Sequence, residues 1–354
     1  MAVLHPNDSN ANINALVELA FIEGIVPQVM LQNPLLTKLL EKKRIVWKGG
    51  KNIMGISDTA EVDDHMQAYV EHEAMTAKRT TTLDNPYWDW KFTQIPIVYT
   101  MKEKIQASAY SRAELVSFLV NKANRSARNG LRRMAYGVPF NSVTPYTIGT
   151  DTEGTDNSAG FQSIRQALTH DATYGHVTRT ISSGTNTWFQ SADIDDFASS
   201  ASAQTTETEM SPDNFEKAKD AIMEYASGNA GRIALMGPSL FRGLKSYCEA
   251  KRITTAPGSM AKYGYESMEV FGIECVKDYF LKNKHATNSH LWLFILTPDT
   301  WRLQIHPDRS FKFTGFTWQG DKPDGKDEWL ARIMLAGNLV CTKPNENFFH
   351  SNFV

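Results

Sequence analysis

Histidines close to acidic residues are the first places to look for chemistry in this sequence. His65, His72 and Glu73 form one such group, and their side chains are of the types that bind zinc. Their spacing lacks the His-Glu-x-x-His pattern, which places two ligands on one face of a helix. The group therefore favours a solvated polar loop over a metal site.

Two other segments carry residue types found at ion and phosphate sites. Asp193, Asp195 and Asp196 form a short acidic run, but the glycine and glutamate positions of a calcium loop are missing. The segment Gly228-Asn-Ala-Gly231 precedes a predicted strand, whereas a phosphate-binding glycine loop follows a strand and opens a helix. These patterns predict no metal and no cofactor.

Nucleophile motifs are missing as well, because the chain contains no GxSxG, Walker A or GxGxxG pattern. Cys248, Cys275 and Cys341 form no CxxC pair, so we expect reduced thiols in a cytoplasmic protein. His176 and Asp171 have no partner that the sequence identifies. The sequence thus predicts no catalytic residue and no enzyme.

The clearest helix of the chain is predicted over residues 111–136. Ser111 and Glu114 fit a capping box at its start, and Gly137 fits a stop at its end. Its apolar residues share one face: Val116, Val120, Ala123, Ala127, Leu131 and Met134. This helix would be a rod of about 38 Å.

The other side of this helix is basic, with six basic residues against one acidic residue over 112–136. Arg125, Arg128 and Arg132 lie on that side. One interpretation is a solvated helix face, which is the commoner case. The other is a cationic surface that attracts phosphates without reading bases. The sequence alone leaves both open.

Composition bounds the class of protein. The 354 residues suit two or three subdomains, and 42% hydrophobic with 21% charged residues is typical of globular chains. A net charge of -2 argues against a dedicated nucleic-acid binder. No stretch approaches the roughly 20 apolar residues of a membrane span, and no signal peptide is recognised, so we expect a soluble chain made in the cytoplasm.

Helices and non-repeating strands follow one another along the chain, which predicts an α+β fold. Further helices are predicted at 14–23, 34–43, 161–168, 211–227 and 239–250. Strands are predicted at 90–107, 233–236, 269–276, 291–296 and 329–341.

Residues 48–90 are polar and strand-like, with little continuous apolar content. A ribbon that runs out and back with about 20 residues per limb would reach about 60 Å. Because an isolated two-stranded ribbon is only marginally stable in water, it would need contacts from another subunit. A long lid or a disordered insertion fits this composition equally well.

The order of these pieces resembles the major capsid proteins of tailed bacteriophages, which have the Hong Kong 97 fold. Local segments that carry the resemblance include SRAELVSFLVNKANRSARNGLRRMAYG and GPSLFRGLKSYCEAKR. The resemblance implies four parts: an N-terminal arm (1–47), an extended loop (48–92), a peripheral domain (93–145 and 328–354, with the spine helix at 111–136), and a mainly axial domain (146–327).

What the resemblance implies for function is a shell. Subunits would form hexamers and pentamers that close into an icosahedral head around double-stranded DNA, with Arg125, Arg128 and Arg132 as candidate DNA-facing residues. A portal, a separate scaffolding protein and a decoration protein are the further partners it suggests. Some relatives cross-link a lysine to an asparagine with the help of a buried glutamate. No such set of three residues stands out here, so no cross-link is predicted.

Three alternatives remain at this point. An encapsulin-like nanocompartment shell would share the fold and would need an inner pocket for a cargo peptide. A hydrolase or transferase with residues 48–90 as a lid would need an acid, a base and a nucleophile in one cleft. A tail or decoration protein would be richer in strands and would lack the long helix.

Overall fold

The structure is a computed structural model of the chain. It describes residues 33–55, 57–58, 83–108, 118, 121–122, 125–126, 129, 162–170, 173–179, 186–192, 209–225, 231–251, 256–281, 291–320 and 325–351. The predicted helix 14–23 lies outside these residues, as do most positions of the predicted helix 111–136.

Helices and strands alternate through the described part of the chain. The helices are α1 (Pro34–Glu41), α2 (Met101–Ser108), α3 (Ile164–Leu168), α4 (Pro212–Tyr225) and α5 (Pro238–Ala250). The strands are β1 (Ile45–Trp47), β2 (Ile53–Met54), β3 (Ser57–Asp58), β4 (Leu83–Asp84), β5 (Tyr87–Trp88), β6 (Lys91–Thr100), β7 (Thr173–Tyr174), β8 (Val177–Thr178), β9 (Ile233–Met236), β10 (Ala256–Pro257), β11 (Ser267–Val270), β12 (Ile273–Lys277), β13 (Leu293–Leu296), β14 (Trp301–Ile305), β15 (Lys312–Phe313), β16 (Thr317–Trp318), β17 (Glu328–Cys341) and β18 (Phe348–His350).

Helix α1 begins at an asparagine cap. The Asn33 Oδ1 accepts hydrogen bonds from the backbone N–H groups of Leu35 and Leu36, at 3.0 and 3.2 Å. Leu35, Leu36 and Leu39 are buried, and the chain leaves the helix through Lys43, whose φ is 55°. The helix predicted at 34–43 is therefore confirmed, and it ends two residues early.

The first sheet is built around β17, its longest strand. On one edge β17 pairs with β6 over ten residues, from Glu328 opposite Thr100 to Gly337 opposite Lys91. On the other edge it pairs with β14, β15 and β16, and β1 adds to β14 in parallel. Pro96 lies in the middle of β6, where it is exposed and has no N–H to donate to a further strand.

The second sheet has the order β10-β11-β12-β9-β13-β18 and mixes parallel with antiparallel pairs. Helices α4 and α5 pack on it through apolar stripes of the kind the sequence predicts. The buried residues of these stripes are Phe215, Ala218, Ile222, Leu240, Phe241, Leu244 and Cys248. The α+β class is thereby confirmed. No helix in the described ranges combines the length and apolar character that a membrane crossing requires.

The strand predicted at 269–276 is in fact a hairpin. Strands β11 and β12 pair with Val270 opposite Ile273, and the two residues between them form the turn. Phe271 and Gly272 both have positive φ, 50° and 78°, as a two-residue hairpin turn of the primed type requires. Glycine adopts a positive φ at no steric cost, whereas phenylalanine does not. Because phenylalanine is unusual at such a position, the turn is not recognisable from the sequence.

The prediction of a strand over 90–107 is wrong for its second half, because helix α2 begins at Met101. The Thr100 Oγ1 accepts from the Glu103 N–H at 3.3 Å, and the Glu103 carboxylate accepts from the Thr100 N–H at 2.9 Å. This reciprocal pair is a capping box, and its sequence signal, Thr-x-x-Glu, was present at 100–103.

Removing this cap gives a first test. We expect Thr100→Ala to lower the free energy of unfolding by about 1 kcal/mol, because the Glu103 N–H loses its acceptor. Urea denaturation of the purified subunit measures the change. Ser246→Ala, which alters an exposed serine inside α5, serves as the control and should not destabilise the chain.

Candidate functional site

A two-stranded ribbon leaves the body of the molecule between β1 and β6. Its strands pair as Ile53 with Trp88 and Met54 with Tyr87, then Ser57 with Asp84 and Asp58 with Leu83. All four pairs keep one register, so they belong to a single antiparallel ladder. The predicted ribbon that runs out and back therefore exists at this end, and residues 59–82 lie outside the described part of the chain.

The end of the ribbon nearest the body, which we call the ribbon root, is formed by residues 53–55 and 86–90. Its anchor is Trp88, which is fully buried. The indole lies between two glycines: a Cβ on Gly55 would stand 2.7 Å from it, and a Cβ on Gly175 2.9 Å. The Tyr87 N–H also donates to the Gly175 carbonyl at 3.1 Å. The β7–β8 turn thus holds the ribbon root from one side.

His176 in the same turn contacts the ribbon root with its ring. The imidazole stacks on Tyr87 with ring centroids 4.1 Å apart, and its Nε2 lies 3.2 Å from Asp89 Oδ2. The Asn338 amide donates to the Asp89 carbonyl at 3.1 Å, which ties the same residue to β17. The sequence alone identifies no partner for His176, whereas the structure supplies one. Its partner is a residue of the ribbon root.

Behind this turn lies a buried arginine. Arg179 donates to the carbonyls of Ala167 and Gln166, at 2.7 and 2.9 Å, and to that of Phe189 at 3.3 Å. Its guanidinium also lies 5.6 Å from the ring centroid of Tyr174, which packs edge-on against Trp88. Arg179 therefore supports the ribbon root through Tyr174.

Large apolar side chains are exposed around the ribbon root. Met54 is 67% exposed, Phe92 61% and Trp47 57%. The Arg309 guanidinium lies over the Phe92 ring at 5.4 Å, and the Trp47 Nε1 donates to Ser310 at 3.3 Å, so both aromatics face one segment. Trp47 and Phe92 form what we call the aromatic pair. Exposed aromatics held in place are typical of binding surfaces.

The thiols do not provide nucleophiles. Burial raises the pKa of Cys341 to about 12, raises that of Cys275 well above its usual range, and raises that of Cys248. Because the thiolate is the reactive form, these shifts oppose nucleophilic chemistry. All three cysteines are free, as predicted.

Within the described ranges, no group of three or more His, Cys, Asp or Glu side chains is placed to hold a metal ion. The acidic and histidine groups singled out in the sequence lie elsewhere: His65, His72, Glu73, Asp193, Asp195 and Asp196 fall outside those ranges, as does Asp171.

The basic helix is described at a few positions only. Arg125 is helical and exposed, whereas Arg128 and Arg132 lie outside the described residues. Lys122, which the sequence places among the basic residues of this helix, forms an ion pair with Glu103 of α2 at 2.6 Å. Hydrogen bonding to Lys122 is the main cause that lowers the pKa of Glu103. Part of the predicted positive charge is thus neutralised inside the chain.

The sequence predicts neither the close approach of Gly175 to the Trp88 indole nor the hydrogen bonds of Arg179. The Gly175-His176 pair carried a weak turn signal, since glycine permits positive φ, but nothing local indicated its partner.

Comparisons with known proteins give structural likeness without sequence likeness. No protein-family model matches the chain, and no curated protein sequence matches it. A chain of the capsid asymmetric unit of cyanophage A-1(L) aligns with a TM-score of 0.57 over 93% of both chains, at 11% identity. The capsid of a native GTA particle aligns at 0.49, with 13% identity over 89% of this chain and 90% of the other. The holo-SrpI encapsulin complex from Synechococcus elongatus aligns at 0.46, with 9% identity over 91% and 88%.

The cyanophage alignment runs through nearly all of both chains, so it concerns the whole fold and not one shared motif. The chain has a phage capsid fold, which confirms what the resemblance in the sequence predicted.

Proposed function

We propose that this chain, with its phage capsid fold, is the major capsid subunit of a tailed bacteriophage. Its subunits assemble as hexamers and pentamers into the icosahedral head that encloses double-stranded DNA. The observation that carries the proposal is the alignment with the cyanophage capsid chain over 93% of both chains. The function is structural, and no catalytic step is assigned.

The ribbon supports this role on physical grounds. A two-stranded ribbon is marginal in water when isolated, and a neighbouring subunit would supply the missing contacts. The ribbon root is rigidly held by Trp88, so the direction in which the ribbon leaves the body is set within the subunit. In a ring of subunits that direction decides whether contacts close into five or six copies.

The parts of the subunit follow the resemblance. Residues 1–47 form the arm, 48–92 the extended loop, 93–145 with 328–354 the peripheral domain, and 146–327 mainly the axial domain. The spine helix spans 111–136. Mature subunits lie in the virion, after assembly in the host cytoplasm with a scaffolding protein and a portal, and a decoration protein is an additional partner.

Packaged DNA is contacted without base readout, through Arg125, Arg128 and Arg132. The exposure of Arg125 at a helical position supports this assignment. Such contacts are Coulombic and weaken as salt rises.

Assembly is tested by expressing the full chain with and without the proteins encoded beside it. Negative-stain microscopy and mass photometry should find closed shells, or rings of five and six. A persistent monomer or dimer, even with a scaffolding protein present, would contradict the proposal. Shells that hold a protein cargo and never DNA would instead indicate a nanocompartment.

The aromatic pair provides a sharper test of the same function. We expect the double variant Trp47→Ser, Phe92→Ser to lose shell assembly while its urea midpoint stays near that of the wild type, because both side chains are mostly exposed in the subunit. Tyr263→Ser, which removes another partly exposed aromatic, from the short 3-10 helix Ser259–Tyr263, is the comparison variant. Normal shells from the double variant would show that this surface does not take part in assembly.

A further inference from the structure

Asp278 is a buried carboxylate with an unused oxygen. It is 1% exposed, directly after β12, and its N–H donates to the Met236 carbonyl at 2.9 Å. Oδ1 accepts from the Phe280 N–H at 2.8 Å, whereas Oδ2 has no hydrogen-bond partner among the residues that the structure describes. A buried polar atom without a partner is uncommon in native proteins, so it calls for an explanation.

Three basic side chains on β12 and the neighbouring helices bond to groups other than Asp278. Lys277, beside Asp278 on β12, pairs with Glu266 at 2.6 Å. Lys38 on α1 pairs with Glu274 at 3.2 Å. Arg242 on α5 donates to the carbonyl of Pro238 in its own helix. Burial therefore raises the pKa of Asp278 to about 6. Only the hydrogen bond from the Phe280 N–H acts in the opposite direction.

The segment that carries Asp278 lies in the same core as the N-terminal helix. Phe280 and Leu281 are buried in the cluster that holds the leucines of α1. Tyr265 lies between the two elements: its hydroxyl is 3.2 Å from the Thr37 Oγ1, and its pKa, raised mainly by burial, is raised further by the charge of Asp278. Residues 278–281 and α1 therefore share one buried region of the core.

We propose that residues 278–281 form a pH-operated latch beneath α1, closed while Asp278 is protonated and opened when it ionises. An ionised carboxylate in this place lacks the hydrogen bonds that water supplies, and opening the segment restores them. The latch acts within a single subunit and does not depend on assembly.

The direction of the pH effect follows from the difference between the pKa of Asp278 in the folded chain and its pKa in the unfolded chain. The pKa of Asp278 in the folded chain, about 6, is above its ordinary value of 3.8, so the folded state binds the proton more tightly. The contribution of protonated Asp278 to the stability of the closed segment is fully present below pH 3.8 and is lost as the pH rises through 6. The latch is thus closed at pH 5 and tends to open at pH 8.

Hydrogen exchange measured by mass spectrometry on the full-length, unassembled subunit tests this at pH 5 and pH 8, after correction for intrinsic exchange rates. We expect peptides that cover 278–281 and α1 to exchange about 10-fold faster at pH 8, because pKa values of 3.8 and about 6 place about half of the logarithmic change between these two pH values. Equal corrected rates at both pH values would overturn the proposal.

Asp278→Asn isolates the charge, because its amide oxygen can still accept from the Phe280 N–H. The variant should exchange slowly at both pH values, whereas Asp308→Asn, at a carboxylate 86% exposed, should behave as the wild type. A pH dependence that persists in Asp278→Asn would contradict the latch. If this variant does not fold, a carbon NMR titration of the wild-type carboxyl decides, and a midpoint below pH 5 would overturn the proposal.

Discussion

Replacing Arg179 with methionine should lower the free energy of unfolding by about 3–5 kcal/mol, the largest loss we expect from one side chain. Methionine fills similar volume but donates nothing, so the carbonyls of Gln166, Ala167 and Phe189 lose a charged donor. A buried acceptor left without a partner costs about 1–3 kcal/mol. The first two carbonyls belong to the last turn of α3, where the helix supplies no internal donors.

Urea denaturation of the full-length subunit measures this loss. Arg179→Lys should fall between the wild type and the methionine variant, because one ammonium cannot reach three carbonyls in the geometry of the guanidinium fork. Arg242→Met is the matched control, since Arg242 is exposed and donates to one carbonyl of its own helix. A midpoint for Arg179→Met equal to that of this control would show that the buried contacts contribute no stability.

Gly175→Ala should destabilise the chain by about 2–4 kcal/mol, for two separable reasons. Gly175 has a φ of 56°, which an L residue adopts only at a cost of about 1 kcal/mol. The new Cβ would also stand 2.9 Å from the Trp88 indole, which is fully buried and cannot move freely.

Two other glycines separate these contributions. Gly264 has a φ of 84° and open space around its Cβ position, so Gly264→Ala measures the backbone cost alone. Gly243 lies inside α5 with nothing near its Cβ position, so Gly243→Ala should stabilise the chain by about 0.5–1 kcal/mol. Equal losses of stability in Gly175→Ala and Gly264→Ala would show that a Cβ at position 175 does not clash with the Trp88 indole.

Much of the secondary structure could be predicted wherever local signals agreed. Strand β9 and helix α4 match their predictions closely. The helix is recognisable because it starts at Ser211-Pro212-Asp213 and repeats its apolar residues at helical spacing. Helix α2 is hard to predict because it follows β6 without a break, and the β-branched residues of that strand favour extended structure. Strands β1 and β18, of three residues each, are too short for a periodic signal.

The site was predictable only in part, for a different physical reason. The polar composition of 48–90 fits a ribbon as well as it fits a lid or a disordered insertion, and the structure contains the root of a ribbon. The residues that hold it come from far along the chain: His176 and Asp89 are 87 positions apart. Nothing in the sequence near either residue encodes that contact, because it exists only after the β7–β8 turn packs against the ribbon root.

The pairing of β17 with β6 and of β1 with β14 has a consequence for how the chain folds. Contacts across the first sheet join residues far apart in the chain: Ile333 pairs with Ile95, 238 positions away, and Leu303 with Ile45, 258 positions away. Contacts this distant close large loops, which makes folding slow. During translation the first sheet stays incomplete until β17 leaves the ribosome. The nascent subunit therefore exposes apolar strands for most of its synthesis, and we expect its yield in the cell to depend on chaperones.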